Sequence, residues 1–105
     1  MTRVIVNPGI CGFVAAIEVS KIAKRKFRVV ITSDCETITK LGESLAEADQ
    51  WDALKQYTNE IHKAASKCHL HATCPIPVAI LKAIEVEAKL ALPRDVTIQF
   101  KPTEH

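Results

Sequence analysis

Cys68-His69-Leu70-His71-Ala72-Thr73-Cys74-Pro75-Ile76-Pro77 is the stretch on which the reading of this chain turns. It carries two of the four cysteines and two of the four histidines, and it divides one helical pattern from the next. On its N-terminal side Leu54, Tyr57, Ile61, Ala64 and Ala65 recur at helical spacing. They predict an amphipathic helix that begins after Ala48-Asp49-Gln50 and has Cys68 at its end. Residues 69–73 read as a short loop. On the other side Pro75 suits the first turn of a helix, where its missing N–H costs nothing. Val78, Leu81, Ile84, Glu85 and Ala88 continue that helix, and Pro93 ends it.

Outward from this junction the pattern changes to alternation. Val4-Ile5-Val6 is a short β-rich run stopped by Asn7-Pro8-Gly9. Phe13, Ala15, Ile17 and Val19 fall on one face of a second strand. Ser20 to Lys26 reads as a hairpin connection, and Phe27, Val29 and Ile31 alternate with Arg28, Val30 and Thr32 in a third strand. Ser33 and Glu36 have the spacing of a capping box at the start of a helix carrying Ile38, Leu41 and Leu45. Gly42 within it costs about 1 kcal/mol relative to Ala. Beyond Pro93, Val96, Ile98 and Phe100 alternate as a last strand, and 101–105 form a frayed tail. The expected order is β-β-β-α-α-α-β. That is one α+β domain over residues 1–105, with a mainly antiparallel sheet and helices packed on one face.

The 105 residues are the usual size of one domain, and 48% hydrophobic content is enough for a core without staples. A net charge of +2 and five aromatic residues disfavour nucleic acid as a partner. Lys21, Lys24, Arg25, Lys26 and Arg28 form a basic cluster, which reads as a solvated hairpin that protects the sheet from edge pairing. No run reaches the roughly 20 apolar residues of a membrane span. The apolar stretch after Met1 is too short for a signal peptide, so the expected address is the cytoplasm. There four cysteines are thiols, metal ligands or redox groups rather than structural disulfides.

Connectivity then says where the cysteines go. With the first strand running up, Cys11 lies in the loop at the top, and the third strand returns to the top at Cys35. Sequential antiparallel helices place Cys68 and Cys74 there too. Four cysteines at element boundaries are unusual for packing residues, which sit on buried faces. The leading expectation is a metal site, zinc or an iron–sulfur cluster, held by Cys11, Cys35, Cys68 and Cys74, with His69 and His71 as alternative ligands. A closed site of that kind is structural, electron-carrying or sensing, so an enzyme acting on its own is not expected. The alternative is thiol chemistry. Cys35 and Cys74 lie at predicted helix N-termini, where exposed amides favour the thiolate, and His69 or His71 could serve Cys74 as a base.

Cys74-Pro75-Ile76-Pro77-Val78, followed by a helix and a strand, resembles the Cys-Pro-x-Pro element of TusA-type sulfur carriers. That resemblance implies that Cys74 carries a persulfide. Over its whole length the chain also resembles a group of short proteins of unknown activity, through Pro8-Gly9-Ile10-Cys11-Gly12-Phe13, the stretch 68–77 and Leu90-Ala91-Leu92-Pro93-Arg94-Asp95-Val96. This second resemblance implies one shared domain and no mechanism. A third reading is an interaction module without chemistry, with an unspecified protein partner; a homodimer is compatible with the sequence, which specifies no interface. His62 reads as surface or helix packing, Trp51 and Tyr57 as packing residues, and His105 as tail.

Overall fold

A computed structural model describes residues 1–55 and 59–103 of the chain. Its sheet is antiparallel and four-stranded, in the order β1-β2-β3-β4: β1 (Thr2–Val6), β2 (Ala15–Ala23), β3 (Lys26–Ser33) and β4 (Glu47–Asp49). Three helices complete it: α1 (Glu36–Ser44), α2 (Glu60–Lys67) and α3 (Ile76–Glu87). The α+β class, the antiparallel sheet and the three helices are as expected.

The sheet separates its faces by alternation. Ala15, Ile17 and Val19 of β2 and Phe27 and Val29 of β3 are buried, while Arg28 and Val30 between them are exposed. The buried face is covered by α3 over β1 and β2 and by α1 over β3. The helices contribute Ile38 and Leu41 from α1 and Leu45 just after it, Ile61 and Ala65 from α2, and Ile76, Ile80, Ala83 and Ile84 from α3. All of these join a single core cluster. Each fully buried Ile or Leu stabilises the fold by about 1.5–3 kcal/mol relative to exposure. The opposite face is open, with cross-strand rows Ile5–Ala16–Thr32, Arg3–Glu18–Val30 and Ser20–Arg28–Glu47.

Several expectations are corrected. The fourth strand is Glu47–Asp49, paired with Lys26–Arg28; Val96, Ile98 and Phe100 lie in no strand among the described residues. After α1 the chain therefore rejoins the sheet instead of turning into a second long helix. A 3₁₀ helix follows over Gln50–Leu54, so Leu54 is exposed and the helix that ends at Lys67 begins only at Glu60. Tyr57 and His105 lie outside the described residues. The capping box does not form. Ser33 Oγ accepts from Cys35 N–H at 3.2 Å, and helix α1 starts after Cys35 with no side-chain cap. On α3 the buried stripe is Ile76, Ile80, Ala83 and Ile84, while Val78 of the expected stripe is 48% exposed. Phe13 precedes β2 and is exposed. Trp51 is also exposed, with the Arg25 guanidinium carbon 5.9 Å from its ring centroid. The rest of the basic cluster is exposed around the β2–β3 turn, as expected of a solvated hairpin.

The direction of α3 is fixed by its last residue. Glu87 accepts from Thr2 Oγ1 at 2.7 Å and from Lys21 N–H at 3.3 Å, and it pairs with the α-amino group of Met1 at 3.2 Å. Its carboxyl is held below the usual carboxylate range, first by the Thr2 hydroxyl, against some desolvation, and then by the Met1 amine and the Lys21 amide. A depressed folded pKa contributes stability above the unfolded pKa, and that stability is lost as pH falls through the folded value. The Glu87→Gln variant is therefore expected to be less stable than the parent at pH 7. The difference closes as pH falls below about 4, near the ordinary carboxylate value, in denaturant titrations at several pH values.

Candidate functional site

Thr2 begins β1 and Lys21 lies near the end of β2, so Glu87 marks the lower edge of the sheet. The N-terminus of α3, with Cys74 just before it, is then at the upper edge. There β1 leaves the sheet toward Cys11, and β3 leaves it toward Cys35. Cys11 sits in a turn closed by Gly12 N–H donating to the Gly9 carbonyl at 3.0 Å, and Gly9 N–H donates to Asn7 Oδ1 at 3.2 Å. Both glycines adopt positive φ, 90° and 73°, which explains why the turn needs them. Cys11 is exposed. Cys35 is half-buried before α1, where its carbonyl accepts from Thr39 N–H at 2.9 Å and Thr39 Oγ1 at 3.0 Å.

Cys74 is half-buried against the core. Burial pushes its thiol up from the ordinary value. The Ile76 N–H, donating to the sulfur, opposes this, and the charges of Cys11 and Cys35 add to it. The ends of β1 and β3, which lead to Cys11 and Cys35, lie at the edge of the sheet where α3 begins.

The fourth cysteine ends α2. Cys68 caps the C-terminus of α2, and its sulfur lies 3.8 Å from Ser44 Oγ. Ser44 is the last residue of α1 and Cys35 immediately precedes its first. Nine residues at 1.5 Å each put about 13 Å between those two ends of the helix. His71 is exposed, and its carbonyl accepts from Cys74 N–H at 3.0 Å, so a tight turn brings it beside Cys74. Among the described residues no three His, Cys, Asp or Glu side chains form a group that could hold a metal ion as they stand.

His69 has a structural explanation. Its φ is +61°, and the chain around it closes α2 with two bonds: Leu70 N–H to the Ala65 carbonyl and His69 N–H to the Ser66 carbonyl, both 3.0 Å. This is the Schellman arrangement, whose left-handed position favours Gly. The same pair of bonds ends α3, with Lys89 at φ +63°. The His69→Gly variant is expected to gain about 0.5–1 kcal/mol by removing left-handed strain at a Cβ. Thermal unfolding checks this, with an expected rise of a few degrees.

What the fold defines is a small α+β domain with an antiparallel sheet. The chain belongs to the Family of unknown function (DUF6951), which it matches over residues 2–100. No curated protein and no solved structure matches it. No helix among the described residues is long and apolar enough to cross a membrane.

Proposed function

We propose that the chain binds a soft metal ion, zinc or the iron of an iron–sulfur cluster, through Cys11, Cys35 and Cys74, with His71 as the fourth ligand. What supports this reading is the placement of three thiols on three separate elements: Cys11 in the loop between β1 and β2, Cys35 just before α1 and Cys74 just before α3. Thiolates brought together repel one another until a cation turns that repulsion into attraction. A coordinating thiol is then deprotonated outright. Thiolate ligands select zinc and iron–sulfur clusters over harder cations. Closing the site requires the exposed turn 9–12 to move inward. A Cβ at Gly9 or Gly12 would meet nothing within 4 Å, so that turn is not held by packing at either glycine. The bound metal ties the β1–β2 loop to the starts of α1 and α3, a structural or sensing role rather than Lewis-acid catalysis.

The thiol-carrier reading of Cys74 has less support. A nucleophilic cysteine works as the thiolate and is favoured by a lowered pKa, whereas Cys74 is pushed up by burial. The test is metal and acid-labile sulfide content of anaerobically purified protein, with each cysteine mapped by alkylation. Metal is expected, with Cys11, Cys35 and Cys74 masked and Cys68 alone labelled. Four masked cysteines would restore the four-thiolate site expected from the sequence. Absence of metal, with four ordinary thiols, would end the proposal.

A further inference from the structure

Among the described residues the chain holds a strand-like segment outside the sheet and an open sheet edge. Val96-Thr97-Ile98-Gln99-Phe100 has the alternation and the residue types of a strand, yet Val96 is 59%, Ile98 84% and Phe100 99% exposed. Residues 91–103 are all exposed. The molecule measures 53 Å along its long axis against 29 and 25 Å across, so it is far from isometric. At the same time, among the described residues, β1 pairs only with β2 and forms one border of the sheet. Its outer edge presents backbone donors and acceptors, and its sequence Thr2-Arg3-Val4-Ile5-Val6 contains no Pro or Lys and only one charge. Those are the devices by which natural sheets blunt an edge. The other border, β4, is only three residues long.

We propose that residues 96–100 of one copy add to the β1 edge of a second copy, and that the exchange is reciprocal in a symmetric dimer. The lengths match, five residues on each side. Addition of an extended segment to a free edge gives main-chain hydrogen bonds along its length, with pockets for alternate side chains. Exchange between identical chains makes each copy both donor and acceptor, and the twofold arrangement closes without leaving either edge open. It removes from water three large side chains per copy that the single chain leaves exposed. The chain between the end of α3 at Glu87 and Val96 contains no helix or strand, so it can serve as the connection. This inference is independent of the thiol reading: it uses the lower and lateral edges of the sheet and no cysteine.

Sedimentation equilibrium of the full chain tests it, with amide exchange resolved along the sequence and Ile98→Pro as the variant. Proline removes a backbone donor at a position whose side chain is 84% exposed, so the domain itself is expected to keep its far-UV spectrum. The expected result is a two-chain mass with slowed exchange in 2–6 and 96–100, and a one-chain mass with fast exchange in the arm for the variant. A monomeric parent overturns the proposal. Slowed arm exchange in that monomer would assign the strand to the chain's own sheet. A variant that remains dimeric also overturns it, because the interface then lies elsewhere.

Discussion

Replacing Asn59 with Ala is expected to destabilise the domain by about 2–4 kcal/mol, measured by urea or guanidinium unfolding at pH 7. Asn59 is 1% exposed and joins two segments. Its Oδ1 accepts from Ile61 N–H at 2.9 Å and His62 N–H at 3.1 Å, which caps the start of α2. Its Nδ2 donates to the carbonyls of Asp52 and, at 2.9 Å, Lys55, which fastens the end of the 3₁₀ helix. Loss of such a cap alone costs about 1 kcal/mol. Carbonyls left unpaired in a buried place add about 1–3 kcal/mol. Asp52, 4% exposed, completes the junction by accepting from Glu60 N–H at 3.1 Å. Asn59→Asp keeps the acceptor and loses the donor, so it separates the two halves: the α2 cap survives and the two carbonyls are orphaned. A loss below about 1 kcal/mol for Asn59→Ala would mean that water replaces the side chain, contrary to the burial seen here.

The Gly42→Val variant is expected to cost about 1–3 kcal/mol, whereas Gly42→Ala stays within about 1 kcal/mol of the parent. Gly42 lies in α1, where Ala would ordinarily be better by about 1 kcal/mol. Here α1 approaches β3 so closely that an added Cβ would stand 3.3 Å from Ile31 Cβ. Ala therefore gains helix propensity and loses by crowding. Val adds two further carbons against a neighbour fixed on the sheet and has to push α1 outward. Since Cys35 immediately precedes α1, such a shift moves it relative to Cys74, and Gly42→Val should weaken metal binding as well as stability. Equal stability of the two variants would show that Ile31 yields freely.

The strands β1 to β3 were legible because one face of each is buried and the sequence alternates accordingly, as Ile17 and Val19 and then Phe27 and Val29 show. The first helix was legible from Ile38, Leu41 and Leu45. The strand β4 was not, since Glu47-Ala48-Asp49 has no β-propensity and owes its state to the bonds offered by β3. Missing it lengthened the second helix and left Asn59 unread, although an Asn followed by Glu60 is an ordinary helix start. On α3 the stripe was misplaced because Ile76, Val78, Ala79, Ile80, Leu81, Ala83, Ile84 and Val86 make the helix apolar nearly all round, so spacing cannot choose a face. The expected strand at residues 96–100 does not form among the described residues: a strand needs a partner edge, and sequence alternation does not name one.

The candidate site was legible to the same depth. Connectivity gave the directions of β1, β3 and α3, because the strands alternate and a proline starts the helix. The expected antiparallel run of the first two helices did not foresee the contact between Cys68 and the end of α1. Once β4 intervenes, α2 no longer runs back along α1, and Cys68 reaches Ser44 instead.

The most direct measurement of the central claim is a cobalt(II) titration of the reduced protein, followed by thiolate-to-metal charge transfer, on the parent, Cys68→Ala and Cys74→Ala. The account predicts one saturable equivalent in the parent, unchanged binding in Cys68→Ala and none in Cys74→Ala. Binding is also predicted to weaken as pH falls, because each thiol must release its proton. No saturable binding in the parent, or equal loss in both variants, would contradict it.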